Sequence, residues 1–96
     1  METASRATRI ETVLRAAFAP DILAVTDDSA RHAGHAGAHQ DGQTHYTVLL
    51  VSAAFQGKGR VDRHRAVQAA LAGEFASGLH ALALVLRTPA EQARAG

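Results

Sequence analysis

Thr44-His45-Tyr46-Thr47-Val48-Leu49-Leu50-Val51-Ser52-Ala53 is the stretch that decides the fold. β-Branched and aromatic residues dominate it, and its apolar run is almost unbroken. The spacing predicts a strand over 44–53 in a central position, covered on both faces. Upstream, Asp21-Ile22-Leu23-Ala24-Val25-Thr26-Asp27-Asp28 reads as a shorter strand. Downstream, Leu79-His80-Ala81-Leu82-Ala83-Leu84-Val85-Leu86 reads as a third, buried strand.

The segments between and around these strands supply the connections. Residues 29–43 hold three glycines and little apolar bulk, which predicts a loop. A loop of that length in a small domain is functional or disordered. Residues 54–60, punctuated by Gly57 and Gly59, form a connector. A helix follows over 62–76, with Asp62 as N-cap, Val67, Ala70, Leu71 and Phe75 as its inner stripe, and Gly78 placed to end it. At the front, Ile10, Val13, Leu14, Ala17 and Phe18 follow helical spacing over 9–19. Thr8 and Glu11 resemble a capping box, a further turn before Thr8 is allowed, and Pro20 stops the helix. The tail beyond Pro89 is expected to form one helical turn and then fray.

The order is helix, strand, loop, strand, helix, strand. The first two strands should pair antiparallel, and the second helix provides the crossover that sets the last strand parallel. The expected fold class is α+β, a three-stranded mixed sheet with helices packed on one face.

Composition narrows the function. Ninety-six residues suit one domain, and 47% are hydrophobic. Phe18, Tyr46, Phe55 and Phe75 are the only aromatics, so the core must rest on Val, Leu, Ile and Ala. A formal net charge of +1 gives no general attraction to nucleic acid. With no cysteine, disulfides, thiol catalysis and self-contained iron–sulfur binding are excluded. Met1–Ile10 is polar and no apolar run reaches the ~20 residues of a membrane span. A soluble, cytoplasmic protein without membrane contact is expected.

Histidine is the outlier: there are six, four of them between His32 and His45. His80 opens the last predicted strand and shares a face, by alternation, with Leu82, Leu84 and Leu86. It is either a satisfied sheet-edge residue or a metal ligand at a strand end. His32 and His35 are either solvated loop residues or a second nitrogen ligand supplied by the loop. His39 has less to recommend it, because the surrounding glycines disfavour the helix that would align it with His35. Adventitious zinc or nickel binding by this tract is also expected. His45 begins the central strand and reads as structural. His64 lies on the inner stripe of the second helix, where a buried ring bonded to backbone is expected. Its neighbours Arg63 and Arg65 should point to solvent. With Lys58 and Arg60 they form a local basic group at a helix start, suited to phosphate contacts. No serine, cysteine or paired-carboxylate arrangement accompanies the histidines. Asp27 and Asp28 alternate across the strand and are expected to cap the loop, so no enzyme is expected.

Several segments taken together resemble the BolA-like family. They are Arg9-Ile10-Glu11 with Leu14 and Phe18; Asp27-Asp28-Ser29 followed by His32-Ala33-Gly34-His35; and Thr44-His45-Tyr46. Further on come Val51-Ser52 with Phe55-x-Gly57; Arg63-His64-Arg65 with Val67, Leu71 and Glu74; and Gly78-Leu79-His80-Ala81-Leu82. The likeness runs from about residue 9 to Pro89. It implies a KH-like (class II-like) αββαβ fold and a cytoplasmic partner of monothiol glutaredoxins of the Cys-Gly-Phe-Ser type, sharing a [2Fe–2S] cluster. It places the cluster histidine at His80, with His32 the closest loop match by its distance from Ser29 and His35 the alternative. Some members are described instead as DNA-binding transcriptional regulators, which makes DNA the second expected partner. Two features depart from the pattern. The loop carries extra histidines, and Gly57-Lys58-Gly59 differs from the Gly-x-x-Gly of nucleic-acid-binding KH domains.

The resemblance agrees with the chemistry of the residues. A [2Fe–2S] cluster takes four ligands, most often thiolates. This chain offers only imidazoles, so a partner must supply the thiolates; the resemblance implies that these come from a glutaredoxin cysteine and its bound glutathione. No cofactor is expected to be bound by the chain alone, and alone it should be a monomer or weak dimer. Histidine ligation raises the cluster's potential and makes it proton-linked.

Overall fold

A computed structural model of the chain describes residues 5–28 and 44–95. Segment 29–43, with His32, His35 and His39, lies outside the described residues.

Helix α1 spans Arg6–Phe18. It starts earlier than 9, and its cap is Ser5 rather than Thr8: the Ser5 hydroxyl accepts the Thr8 amide at 3.2 Å. The helix ends on Ala19, a left-handed residue at φ 44° and ψ 58°, directly before Pro20. Strand β1 is Ile22–Asp27, β2 is His45–Val51 and β3 is Ala81–Arg87. The sheet order is β1-β2-β3, with β1 antiparallel and β3 parallel to β2.

β2 is central, as its apolar run predicts, but among the described residues it is covered on one face only. Tyr46, Val48 and Leu50 are buried, while His45, Thr47 and Leu49 between them are half-buried. β3 is an edge strand that alternates exposed and half-buried residues, not a fully buried one. The reason is shared. Ile10 and Leu14 of α1 join Val67 and Leu71 in a single core against one side of the sheet. The other side, carrying Ala24, Thr47, Leu49 and Val85, lies outside that core.

After β2, a 3-10 turn at Ala53–Phe55 sends Phe55 into the core, where its ring meets Phe18 at 5.3 Å. Helix α2 spans Arg60–Ala70, with Gly59 as N-cap and Asp62 in the first turn instead of at the cap. The single helix expected over 62–76 is broken at Leu71, and a short α3 continues as Ala72–Ala76. Leu71 leaves helical geometry at φ −100° and ψ 15° while its side chain stays 1% exposed. Gly73, two residues on, weakens any continuous helix there.

Helix α4, Pro89–Ala95, is longer than one turn. Thr88 and Glu91 form a reciprocal capping box: the Thr88 amide donates to Glu91 Oε1 at 2.8 Å, and the Glu91 amide to Thr88 Oγ1 at 3.2 Å. Pro89 then occupies the first helical position, where its missing N–H costs nothing.

Candidate functional site

The turn between α3 and β3 positions the candidate site. Gly78 adopts φ +127°, which an L side chain rarely tolerates. Arg6 holds this turn from α1. Its Nη1 donates to the Glu74 carbonyl, to Glu74 Oε1 at 2.8 Å and to the Ser77 hydroxyl, and its Nη2 to the Ser77 carbonyl. Arg9 joins the same carboxylate at 2.9 Å. Hydrogen bonding from Arg9 holds the Glu74 carboxyl below its ordinary range, against the opposing effect of burial. The same bond raises Arg9.

Beyond the turn, the amides of His80 and Ala81 both donate to the Thr44 carbonyl, at 2.9 and 3.1 Å. That pairing fastens the start of β3 beside the start of β2. His80 is exposed and precedes the strand, so strict alternation does not place it with Leu82, Leu84 and Leu86. Its Nδ1 lies 3.2 Å from the Gly78 carbonyl. A carbonyl only accepts, so Nδ1 is the donor in this contact.

The second ring at this spot is His45, which sequence reasoning assigned a structural part. His45 pairs in register with Ala81, and its ring lies 6.2 Å from that of His80 with planes 19° apart. Its Nδ1 meets the Thr44 hydroxyl at 2.8 Å. The signal for it was in the sequence: β2 and β3 run parallel, and each begins at a histidine or one residue after one. Beside the pair, a depression of about 450 Å³ is lined by Asp28, His45, Thr47, Ala81 and Ala83 among others. Asp28 accepts the Thr47 hydroxyl there. The structure brings His45, not a described loop residue, to His80; His32 and His35 lie outside the described residues. Among the described residues, no group of three or more His, Cys, Asp or Glu is gathered for a metal ion.

The basic group divides. Lys58, Arg60 and Arg65 are exposed, as expected. Arg63 is not: it turns inward, with a side chain 13% exposed. It donates to the Lys58 and Leu86 carbonyls, pairs with Glu91 at 2.6 Å and lies 5.7 Å over the Phe55 ring. That pairing, with the Thr88 amide, lowers the Glu91 carboxyl to about 2. A groove of about 620 Å³ between α2 and β3 is lined by Lys58, Arg60, Arg63, Leu86, Arg87 and Glu91 among others. His64 is half-buried and donates from Nδ1 to the Arg60 carbonyl at 2.9 Å, so its ring is tied to backbone without being sealed in the core.

No described helix is long and apolar enough to cross a membrane. A mixed α+β module with an exposed imidazole at the mouth of a three-stranded sheet is the class these features define. The BolA-like protein family model matches residues 14–91, and the chain belongs to that family. It is 48% identical over 91 residues to SufE-like protein 1, chloroplastic/mitochondrial, of Arabidopsis thaliana, covering 91% of this chain and 24% of that protein. The chain therefore spans about a quarter of that relative's length. It is 46% identical over 76 residues to the DNA-binding transcriptional regulator BolA of Escherichia coli (strain K12), covering 79% of this chain and 69% of that one. Among solved structures, the BolA domain of SufE1 from Arabidopsis thaliana superimposes with a TM-score of 0.82 at 47% identity, covering 94% of this chain and 99% of that one. The family is generally non-catalytic.

Proposed function

We propose that this chain is a non-enzymatic, cytoplasmic partner of a monothiol glutaredoxin and shares a [2Fe–2S] cluster with it in iron–sulfur homeostasis. The observation that carries the reading is His80: exposed, set at a strand entrance by Gly78 and Thr44, and with its Nδ1 donating to the Gly78 carbonyl. The residues fit the donor set of a shared cluster. His80, with His32 or His35 from the loop, would supply nitrogen, and a chain without cysteine must leave sulfur to its partner. A [2Fe–2S] centre with imidazole ligands supplies one-electron chemistry at a potential above that of an all-thiolate centre. The protein's part is to present the imidazole in one orientation on a rigid strand end. His80→Ala should abolish the mixed cluster while the fold survives, read by visible absorption and circular dichroism of the anaerobic glutaredoxin complex. An unchanged spectrum would refute the assignment.

A second reading, DNA binding, is favoured by exposed Lys58, Arg60 and Arg65 near the start of α2 and by the printed name of the Escherichia coli relative. Arg63 would contribute indirectly, since its guanidinium is engaged with Glu91. If DNA is the ligand, Arg60→Ala and Arg65→Ala should each weaken a gel shift and lower its salt dependence. Binding without sequence preference that vanishes at moderate salt would count against a regulator.

A further inference from the structure

We propose that the outer edge of β3, with the groove beside it, takes up an extended acidic segment of a partner protein as a fourth strand of the sheet. Three observations carry the proposal. The first is the direction of the backbone. The Ala81 amide donates to the Thr44 carbonyl, and the Arg87 carbonyl accepts from the Ser52 amide. Backbone groups alternate sides along a strand, so Ala81, Ala83, Val85 and Arg87 turn toward β2. Leu82, Leu84 and Leu86 therefore turn to the outer edge. The Leu86 carbonyl agrees, since it accepts there from Arg63 Nη1 at 3.2 Å. Among the described residues β3 pairs with β2 alone, and the outward amides and carbonyls of Leu82 and Leu84 have no hydrogen-bond partner. Such an edge is a template for another strand.

The second is the groove. Its space of about 620 Å³ is lined by Leu84, Val85 and Leu86 from β3 and by Lys58 and Arg60 from the approach to α2. A segment paired with β3 therefore has room for its own side chains. Arg63 closes the ladder at Leu86, so the pairing runs over Leu82–Leu86, a span of about 13 Å.

The third is charge. Four cations, Lys58, Arg60, Arg63 and Arg87, and one carboxylate, Glu91, line the groove. Arg63 is paired with Glu91. The others leave a local excess of three positive charges in a chain whose formal net charge is +1. That excess attracts carboxylates on the incoming segment and repels a basic one. The surface uses neither His80 nor a loop histidine, so it stands apart from the cluster reading. It shares Lys58 and Arg60 with the DNA reading, and the test separates the two.

The probe is a blocked heptapeptide of alternating glutamate and valine, added to the isotope-labelled full chain. At about ten times its Kd, hydrogen exchange of the Leu82 and Leu84 amides should slow about tenfold, because only the free chain exchanges. The Ala83 and Val85 amides, already turned to β2, should not change. A copy N-methylated along its pairing edge keeps its charge but cannot pair, and should bind at least about tenfold more weakly. Lys58→Glu combined with Arg60→Glu should weaken the unmethylated peptide by about tenfold. Equal binding of the methylated copy overturns the proposal. So does protection of Leu82 and Leu84 in the free chain, which would mean that the edge is already covered by the chain itself or by a second copy. Oligothymidylate that shifts the Lys58 and Arg60 resonances, while the peptide leaves the Leu82 and Leu84 amides untouched, assigns the cations to nucleic acid and overturns it as well.

Discussion

At the scale of single residues, one carboxylate joins the helical layer to the candidate site. Glu74 accepts from both Arg6 and Arg9, and Arg6 then holds Ser77 and with it the turn to His80. The Arg6 and Glu74 side chains are only 10% and 13% exposed. Removing Glu74 strands a guanidinium in a nearly dry position, which costs several kcal/mol when burial is complete and less here. Glu74→Ala should therefore lower stability by about 2–4 kcal/mol, read as a shifted urea midpoint at constant slope. A change below about 0.5 kcal/mol, typical of an exposed ion pair, would show that solvent screens the network. The sequence displayed Arg9 and Glu74 but not their meeting, because residues 65 apart share no helical or strand periodicity.

At the scale of elements, the α3–β3 turn decides where β3 begins. Gly78 at φ +127° has Arg6 Nη2 3.2 Å from where a Cβ would stand. Gly78→Ala would combine backbone strain of order 1–3 kcal/mol with displacement of the Arg6 guanidinium. We expect a loss of about that size in urea denaturation, with His80 ring chemical shifts changed relative to the parent. Gly57, also at positive φ, meets nothing within 4 Å, so Gly57→Ala should carry the backbone cost alone. Equal losses in the two variants would mean that the Arg6 contact contributes nothing. Gly78 was legible as a helix stop. The break at Leu71 was not, since the apolar stripe runs through it and only packing shows where the axis changes.

At the scale of the whole molecule, acid should loosen the fold through its paired carboxylates. Glu91 is lowered from 4.5 to about 2 by Arg63 and Thr88, and Glu74 is lowered by Arg9. A carboxyl with a depressed native pKa contributes stability above its unfolded value and loses it as pH falls toward the native one. The contribution of Glu91 should therefore be whole above about pH 4.5 and fade toward about pH 2. Urea midpoints across this window should fall more steeply for the parent than for Glu91→Gln. Parallel curves would show that the Arg63–Glu91 pair does not join α2 to α4 in solution.

The sequence by itself determined the order of elements, the pairing of the strands and the prominence of His80. The first two follow from local periodicity, from turn residues and from the geometry that short and long connections allow; the third follows from the resemblance to the BolA-like family. Only the tertiary structure decided that the described helices build the core against one sheet face, that Arg63 turns inward, and that His45 stands beside His80. Each of these depends on which distant groups arrive at the same place. An apolar run looks the same whether one or both of its faces are covered, and an arginine looks the same whether its partner is water or Glu91. Parallel pairing, fastened at Thr44, is what brings two histidines 35 positions apart to one end of the sheet.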